Sequence, residues 1–313
     1  MDRDSWLRTR TFAGPSFDPE RLARLRRDGG VSVSVVLPAL NVEGTVGTIV
    51  SAVRQHWMGP SGLVDELVVV DSHSTDGTAA EAAMAGARVV QDDEVLPGAG
   101  PGRGKGEAMW KSLAVTSGDL VLWLDSDVSD FDPAFVPGML GPLLEVPEVA
   151  FTKAVYRRAM GSGDDGGRVT EICARPLLNL FHPPLAALAQ PLSGEQAGRR
   201  DLLESLPFFT GYAVEIGLLI DVLRARGLGA LAQVDLGRRV HVNQPTAALG
   251  PMAYAITQAV LRRLADEGRA SAGLADAGPY ARPVRDGDGW AMEEREVRPA
   301  ERPPIGPLLR GAG

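Results

Sequence analysis

Three groups of polar residues are of types that suit metal and phosphate chemistry. Asp125-Ser126-Asp127 comes directly after Val121-Leu122-Trp123-Leu124. Two carboxylates two residues apart at a strand end can offer hard oxygen ligands to Mg2+ or Mn2+. Such a cation can bridge to a diphosphate and neutralise the charge that grows on a leaving nucleoside diphosphate. The triplet alone is a weak signal, because the same residues make ordinary turns and helix caps; the strand before it favours the functional reading. Arg239, His241 and Asn243 alternate with Val240 and Val242, so in an extended segment the three polar side chains share one face. A lone histidine is more often structural than a ligand, and its two polar neighbours bring the readings level. Gly166-Gly167 before Arg168 and Thr170, at a predicted helix start, supplies N–H groups, a guanidinium and a hydroxyl suited to a phosphate.

A fourth segment, Gly98 to Gly106, reads GAGPGRGKG and imitates a P-loop. The P-loop needs glycine five residues before its Gly-Lys pair, where this chain has Ala99, and Ser or Thr after the lysine, where it has Gly106. Each G-x-G-x-x-G frame in the loop also fails, ending on Arg103, Lys105 or Glu107. These mismatches count against ATPase and dehydrogenase readings. What survives is Lys105 at a helix start, where a cation and peptide N–H groups can meet phosphate, with a solvated surface lysine as the plain alternative.

The elements that must hold these groups alternate. A short helix from Pro19 to the Gly29-Gly30 pair precedes a strand over Val31 to Leu37; Val46, Ile49, Val50 and Val53 then have helical spacing. Leu67 to Val70 is a second strand ending at Asp71, residues 78–86 an Ala-rich helix, Arg88 to Val90 a third strand, Lys105 to Ala114 a helix and Asp119 to Leu124 a fourth strand. That order predicts a parallel α/β sheet, and ligands of such sheets bind beyond the carboxyl ends of the strands. Asn41, Asp71 and Asp125 to Asp127 all fall there. Later, Val149 to Tyr156 and Ala230 to Val240 predict strands; Arg168 to Phe181 (interrupted at Pro176), Glu215 to Arg226 and Ala253 to Glu267 predict helices. The division expected is an N-terminal segment 1–30, a nucleotide-sugar half 31–158, an acceptor half 159–267 of the same catalytic domain, and a flexible tail 268–313 too poor in apolar residues to order itself.

Composition agrees with a folded protein: of 313 residues, 44% are hydrophobic and 23% charged. A net charge of −8 argues against nucleic-acid binding while leaving room for a local anion pocket. No apolar stretch is long enough for a membrane span, the first residues lack a secretory pattern, and Cys173 is the only cysteine, so no disulfide framework or zinc cluster is expected. The expected location is cytoplasmic.

Pro38-Ala39-Leu40-Asn41, Val70-Asp71-Ser72-x-Ser74-Thr75-Asp76 and Asp125-Ser126-Asp127 together resemble the GT-A-fold nucleotide-sugar glycosyltransferases. Gly104-Lys105-Gly106-Glu107-Ala108, Tyr156-Arg157-Arg158, Gly167-Arg168-Val169-Thr170-Glu171, Ala174-Arg175-Pro176-Leu177-Leu178, Gln190-Pro191-Leu192, Gly211-Tyr212-x-Val214-Glu215-Ile216-Gly217 and Arg239-x-His241-x-Asn243 narrow the resemblance to the glucosyl-3-phosphoglycerate synthase family, over roughly residues 31–255. The resemblance implies a Rossmann-like GT-A fold, a mostly parallel sheet flanked by helices with a helical acceptor-side extension. It implies a cytosolic, dimeric, Mg2+- or Mn2+-dependent enzyme moving glucose from UDP-glucose to the 2-hydroxyl of 3-phosphoglycerate with retention. By the same resemblance, Pro38, Ala39, Leu40, Asn41, Ser72, Lys105, Asp125, Ser126, Tyr212 and Arg239 bind the donor. Gly167, Arg168, Val169, Thr170 and Asn243 bind the acceptor, Asp127 and His241 the metal, and Glu215 with Asp127 stands at the reacting centre. The family usually reads Asn-Glu-Glu where this chain has Asn41-Val42-Glu43, and Val240 and Val242 replace residues that are commonly polar. The alternatives are another donor or small anionic acceptor on the same scaffold, or a nucleotide-sugar-binding protein without turnover.

Overall fold

The computed structural model of the chain describes residues 1–59, 62–159, 167–240, 245–271, 273, 278–286 and 289–311. In chain order, helix α1 (Arg3–Arg10) leads into β1 (Thr11–Ala13), and α2 (Pro19–Asp28) into β2 (Val33–Ala39). Then come α3 (Val46–Trp57), β3 (Glu66–Asp71), α4 (Thr78–Met84), β4 (Arg88–Gln91), α5 (Lys105–Val115), β5 (Leu120–Trp123), α6 (Phe135–Glu145) and β6 (Phe151–Ala159). The second half holds α7 (Arg175–Phe181), β7 (Gln196–Arg199), α8 (Arg200–Ser205), β8 (Phe208–Phe209), α9 (Val214–Arg226), β9 (Leu231–Val240) and α10 (Thr246–Asp266). β10 (Tyr280–Asp286), β11 (Gly289–Arg295), β12 (Glu301–Arg302) and α11 (Gly306–Gly311) follow.

Eight strands form one sheet in the order β1-β9-β6-β7-β5-β2-β3-β4. β7 runs antiparallel to both neighbours, and the other pairs are parallel. Helices cover both faces, which is why β2, β3 and β5 read as unbroken apolar runs. Alternate residues serve opposite layers: Val36, Val68, Val70, Val121 and Trp123 pack with Met109 and Trp110 of α5 and Ile216 of α9. Val35, Leu37, Val69 and Leu122 pack on the other face with Val46, Ile49, Val50 and Val53 of α3.

Both chain ends depart from expectation. Residues 1–30 do not stand apart: Trp6 is fully buried, its indole N–H donates to the Leu231 carbonyl at 2.8 Å, and β1 forms a sheet edge beside β9. The segment after residue 268, expected as a flexible tail, contains a hairpin of β10 and β11, a strand paired antiparallel with β8, and a fully buried Ile305. Directed polar contacts such as Arg302 with Glu107 help to hold it, and composition does not reveal those. The helix expected over 168–181 is interrupted: Thr170–Ala174 winds as a π-helix, and α7 begins at Arg175 with Pro176 in its first turn, where a missing N–H is harmless. α10 starts seven residues before the expected Ala253 and runs through Pro251.

Candidate active site

The carboxyl ends of β2, β3 and β5 open into one cleft of about 490 Å3. Pro38 and Ala39 end β2 with Leu40 and Val42 just beyond, Ser72 follows β3, and Asp125, Ser126 and Asp127 follow β5. Gly104 and Lys105 from the start of α5, and Gly211, Tyr212 and Glu215 from the start of α9, form another wall. Gly167, Arg168, Val169 and Thr170 line the far side, with Leu249, Met252 and Ile256 of α10. A wider depression of about 660 Å3 between α3 and α4 gathers none of the expected site residues.

Lys105 is the electrostatic centre. Its Nζ lies 2.6 Å from Asp125 Oδ1 and 3.3 Å from Glu215 Oε1, and donates to the Gly194 carbonyl at 3.1 Å. Burial pulls its pKa down, but Asp125, Glu215 and Glu195 more than offset that and hold it above the ordinary lysine value. The ammonium is therefore charged at any working pH. Two close backbone approaches make this possible. A Cβ on Gly194 would sit 2.0 Å from an Asp125 carboxylate oxygen, and one on Gly104 (φ +84°) would sit 2.9 Å from Gly211 Cα. The starts of α5 and α9 thus touch through glycine, which brings Lys105 and Glu215 into contact.

Several side chains expected at the donor shape the loops that carry it. The buried Ser126 donates its hydroxyl proton to the Pro38 carbonyl at 2.6 Å, fastening the end of β5 to β2. Asn41 is not in the cleft lining. It adopts a left-handed φ of +54°, its N–H donates to Ser74 Oγ at 2.9 Å, and its Oδ1 accepts from the Thr75 N–H at 2.8 Å. Val42 does line the cleft, so the carboxylate missing there leaves an apolar wall. Asp71 is buried and accepts from Gln91 Nε2 at 2.9 Å and from the Ser74 hydroxyl, which fixes the loop bearing Ser72.

Asp127 is exposed at the mouth, while Asp125 beside it faces Lys105. A carboxylate in that place fits a hard divalent cation. His241 and Asn243 lie outside the described residues. Arg239 sits at the end of β9 in register with Arg158 of β6. On the acceptor side Gly167 has φ +90° and its carbonyl accepts from the Glu171 N–H at 3.0 Å; Val169 and Thr170 are buried and Arg168 is half-buried.

Sequence reasoning missed Lys153. It is completely buried in β6, and its Nζ donates to the Ser193 carbonyl and, at 3.1 Å, to Gln196 Oε1. Burial pushes its pKa down to about 8; Glu215 pulls it up, Lys105 pushes it down, and Asp125 and Glu195 pull it up. The available signal was a lysine within the otherwise apolar stretch Phe151 to Tyr156. Tyr156, Leu192 and the three α10 residues also line the cleft without having been singled out as ligands.

A model of glycosyl transferase family 2 matches residues 34–206. The glucosyl-3-phosphoglycerate synthase of Mycolicibacterium smegmatis is 44% identical over 306 residues, which is 96% of this chain and 97% of that one. The chain belongs to the glucosyl-3-phosphoglycerate synthase family. The family's enzyme from Mycobacterium tuberculosis, in crystals with Mn2+, UDP and glucosyl-3-phosphoglycerate, has a TM-score of 0.81 at 42% identity over 93% of this chain and 96% of that one. Mannosyl-3-phosphoglycerate synthase from Rubrobacter xylanophilus has a TM-score of 0.90 at 46% identity over 99% of both chains. The GT-A fold expected from the motifs is thus the observed fold, and the family match includes β1 and residues beyond 268, which motif reading had set aside.

Proposed function

We propose that the chain transfers glucose from UDP-glucose to the 2-hydroxyl of 3-phosphoglycerate, with retention of the α configuration and dependence on Mg2+ or Mn2+. The observation that carries this is one cleft holding Lys105 against Asp125 and Glu215 on one wall and the Gly167 to Thr170 loop on another. The first suits a nucleoside diphosphate, the second a phosphorylated acceptor. The M. tuberculosis relative has been crystallised with Mn2+, UDP-glucose and phosphoglyceric acid, at 41% identity and a TM-score of 0.79.

In this reading the β2 and β3 loops, through Pro38, Ala39, Leu40 and Ser72, receive the uridine, and Lys105 faces the diphosphate. Asp127 with His241 holds the cation, which when bound neutralises charge on the departing diphosphate. Arg168, Thr170 and Asn243 hold the acceptor phosphate and orient its hydroxyl towards the sugar, while Tyr212 and Arg239 border the donor. Glu215 orients the reacting groups rather than forming a covalent bond. Its Oε1 is held in an ion pair with Lys105, a geometry that suits an orienting carboxylate. Glu215→Gln should keep detectable turnover to the α product, and mass spectrometry of wild type should find no glucosyl adduct; an adduct trapped on Glu215 would make it the nucleophile.

The similarity to a mannosyl-3-phosphoglycerate synthase supports a second reading, with a mannose donor and the same acceptor. Release of nucleoside diphosphate on adding 3-phosphoglycerate, compared for UDP-glucose and GDP-mannose, separates the two. Faster release from GDP-mannose would favour the second, and no release from either would sink both. A homodimer and a cytoplasmic location rest on the family resemblance, and light scattering tests the former. Among the described residues no helix is long and apolar enough to cross a membrane.

A further inference from the structure

Lys105 comes at the end of a loop with little to hold it. Residues 97–104 contain Gly98, Gly100, Gly102 and Gly104 and no large apolar side chain, and Gly100 and Gly104 have φ of +75° and +84°. What fixes this loop lies almost two hundred residues away, in β12. The Arg302 guanidinium donates from Nε to Glu107 Oε2 at 2.6 Å and from Nη2 to Glu107 Oε1 at 2.8 Å. It also donates from Nη2 to the Gly100 carbonyl at 2.9 Å and from Nη1 to the Ala99 carbonyl. Glu107 is fully buried two residues after Lys105 on α5, and a Cβ on Gly102 would lie 2.2 Å from its carboxylate, so the loop backbone rests on that carboxylate. Pro303 accepts the Trp110 indole N–H at 2.8 Å, and the guanidinium stands over that ring at 5.4 Å.

The same segment grips the opposite wall. The Thr210 N–H donates to the Ala300 carbonyl at 2.9 Å, the Ala300 N–H donates to Thr210 Oγ1 at 3.1 Å, and Glu301 and Arg302 pair with Phe209 and Phe208 of β8. Thr210 immediately precedes Gly211 and Tyr212 of the cleft. From α10, Gln258 donates to the Val297 carbonyl at 2.8 Å and Arg262 to that of Pro299 at 3.2 Å, anchoring the segment from behind.

We propose that residues 297–305 are a strap that sets the donor site, with Arg302 its positioning residue: through Glu107 and the carbonyls of Ala99 and Gly100 it fixes the loop that delivers Lys105 to the diphosphate. This rests on the reading of Lys105 as a diphosphate contact. Neutralising Glu107 does not by itself require an arginine, because Lys111 already pairs with that carboxylate at 3.2 Å. Reaching two loop carbonyls as well requires the fork of donors that only a guanidinium carries. The acceptor loop at Gly167 to Thr170 makes no contact with the strap among the contacts described above, so donor and acceptor affinities should separate.

The test is calorimetric titration of wild type, R302A and R302K with UDP and GDP in the presence of Mn2+, and with 3-phosphoglycerate. R302A should bind the preferred nucleoside diphosphate at least about tenfold more weakly, with 3-phosphoglycerate affinity within about twofold of wild type, and R302K should fall between. A merely structural role would lower the fraction of competent sites, read as stoichiometry, and leave both affinities alone; that result overturns the proposal. If R302A does not fold, R302K decides: a loss of about threefold or more confined to the nucleotide supports the strap, and unchanged nucleotide affinity contradicts it. Wild type that binds nucleotide yet makes no product refutes the proposed function alone. Full turnover in wild type with nucleotide affinity unchanged in the variants refutes the strap alone.

Discussion

Among the described residues, Arg168 and Lys105 are the cations that line the cleft, one from the acceptor loop and one from the start of α5. A guanidinium on phosphate contributes about 1.5–3 kcal/mol through charge-assisted bonds, or roughly 10- to 150-fold in affinity. Arg168→Ala should therefore raise KM for 3-phosphoglycerate by that factor and leave donor KM nearly unchanged; steady-state kinetics with each substrate varied checks it, and an unaltered acceptor KM moves the phosphate elsewhere. Lys153 supplies a pH prediction. Burial holds its folded pKa near 8, below the unfolded value of 10.5. Between those values the unfolded chain binds more protons, so the site's contribution to stability rises with pH across that window and its unfavourable effect is complete below about 8. Urea unfolding should show wild type gaining about 2 kcal/mol relative to Lys153→Met between pH 7.5 and pH 10. Parallel curves would mean that Lys153 titrates normally. Lys105, shifted upward, acts only above the ordinary lysine range and leaves this window clear. Asp125 and Lys105 stood out as charged residues at a strand end and a helix start, and Glu215 was named through the family resemblance. Lys153 did not stand out, since its partners are a carbonyl and an amide brought together by the antiparallel pairing of β6 with β7.

At the scale of elements, the strand-end loops meet only because glycine stands at the closest approaches. Gly194→Ala puts a methyl group 2.0 Å from the Asp125 carboxylate, which must then move away from Lys105. Overpacking of this kind costs about 1–3 kcal/mol, and turnover should fall by more than about tenfold as the carboxylate is displaced. Gly229→Ala, with nothing within 4 Å of the new methyl, is the control and should keep wild-type kinetics and melting temperature. Equal behaviour of the two variants would deny Asp125 its positioning role. Strands buried on both faces announce themselves as apolar runs, which is why β2, β3 and β5 were read correctly. β7 was not read: Gln196-Ala197-Gly198-Arg199 has neither alternation nor β-branched residues, and it owes its place to the strands on either side. α6 escaped for a related reason. Pro137, Gly138, Gly141 and Pro142 look like loop, yet all four are buried inside the helix.

For the molecule as a whole, a net charge of −8 coexists with a cleft proposed to take two phosphorylated ligands. Composition therefore described the surface, while the proposed function lies in a few side chains such as Lys105, held by Asp125 and Glu215. The chain's two ends show the same limit: Trp6 and Ile305 are fully buried, and Arg302 reaches Glu107 across 195 residues, none of which local pattern can express. The proposed reaction is transfer from an activated hexose to a hydroxyl of 3-phosphoglycerate in this cleft. The most direct measurement is NMR of the product formed from UDP-glucose, 3-phosphoglycerate and Mn2+ by the purified protein. The expected product carries an α-linked glucosyl unit on the 2-oxygen of the glycerate, formed in step with UDP release and abolished by Asp127→Ala. A β-linked product, or UDP release that yields free glucose whether or not the acceptor is present, would contradict it.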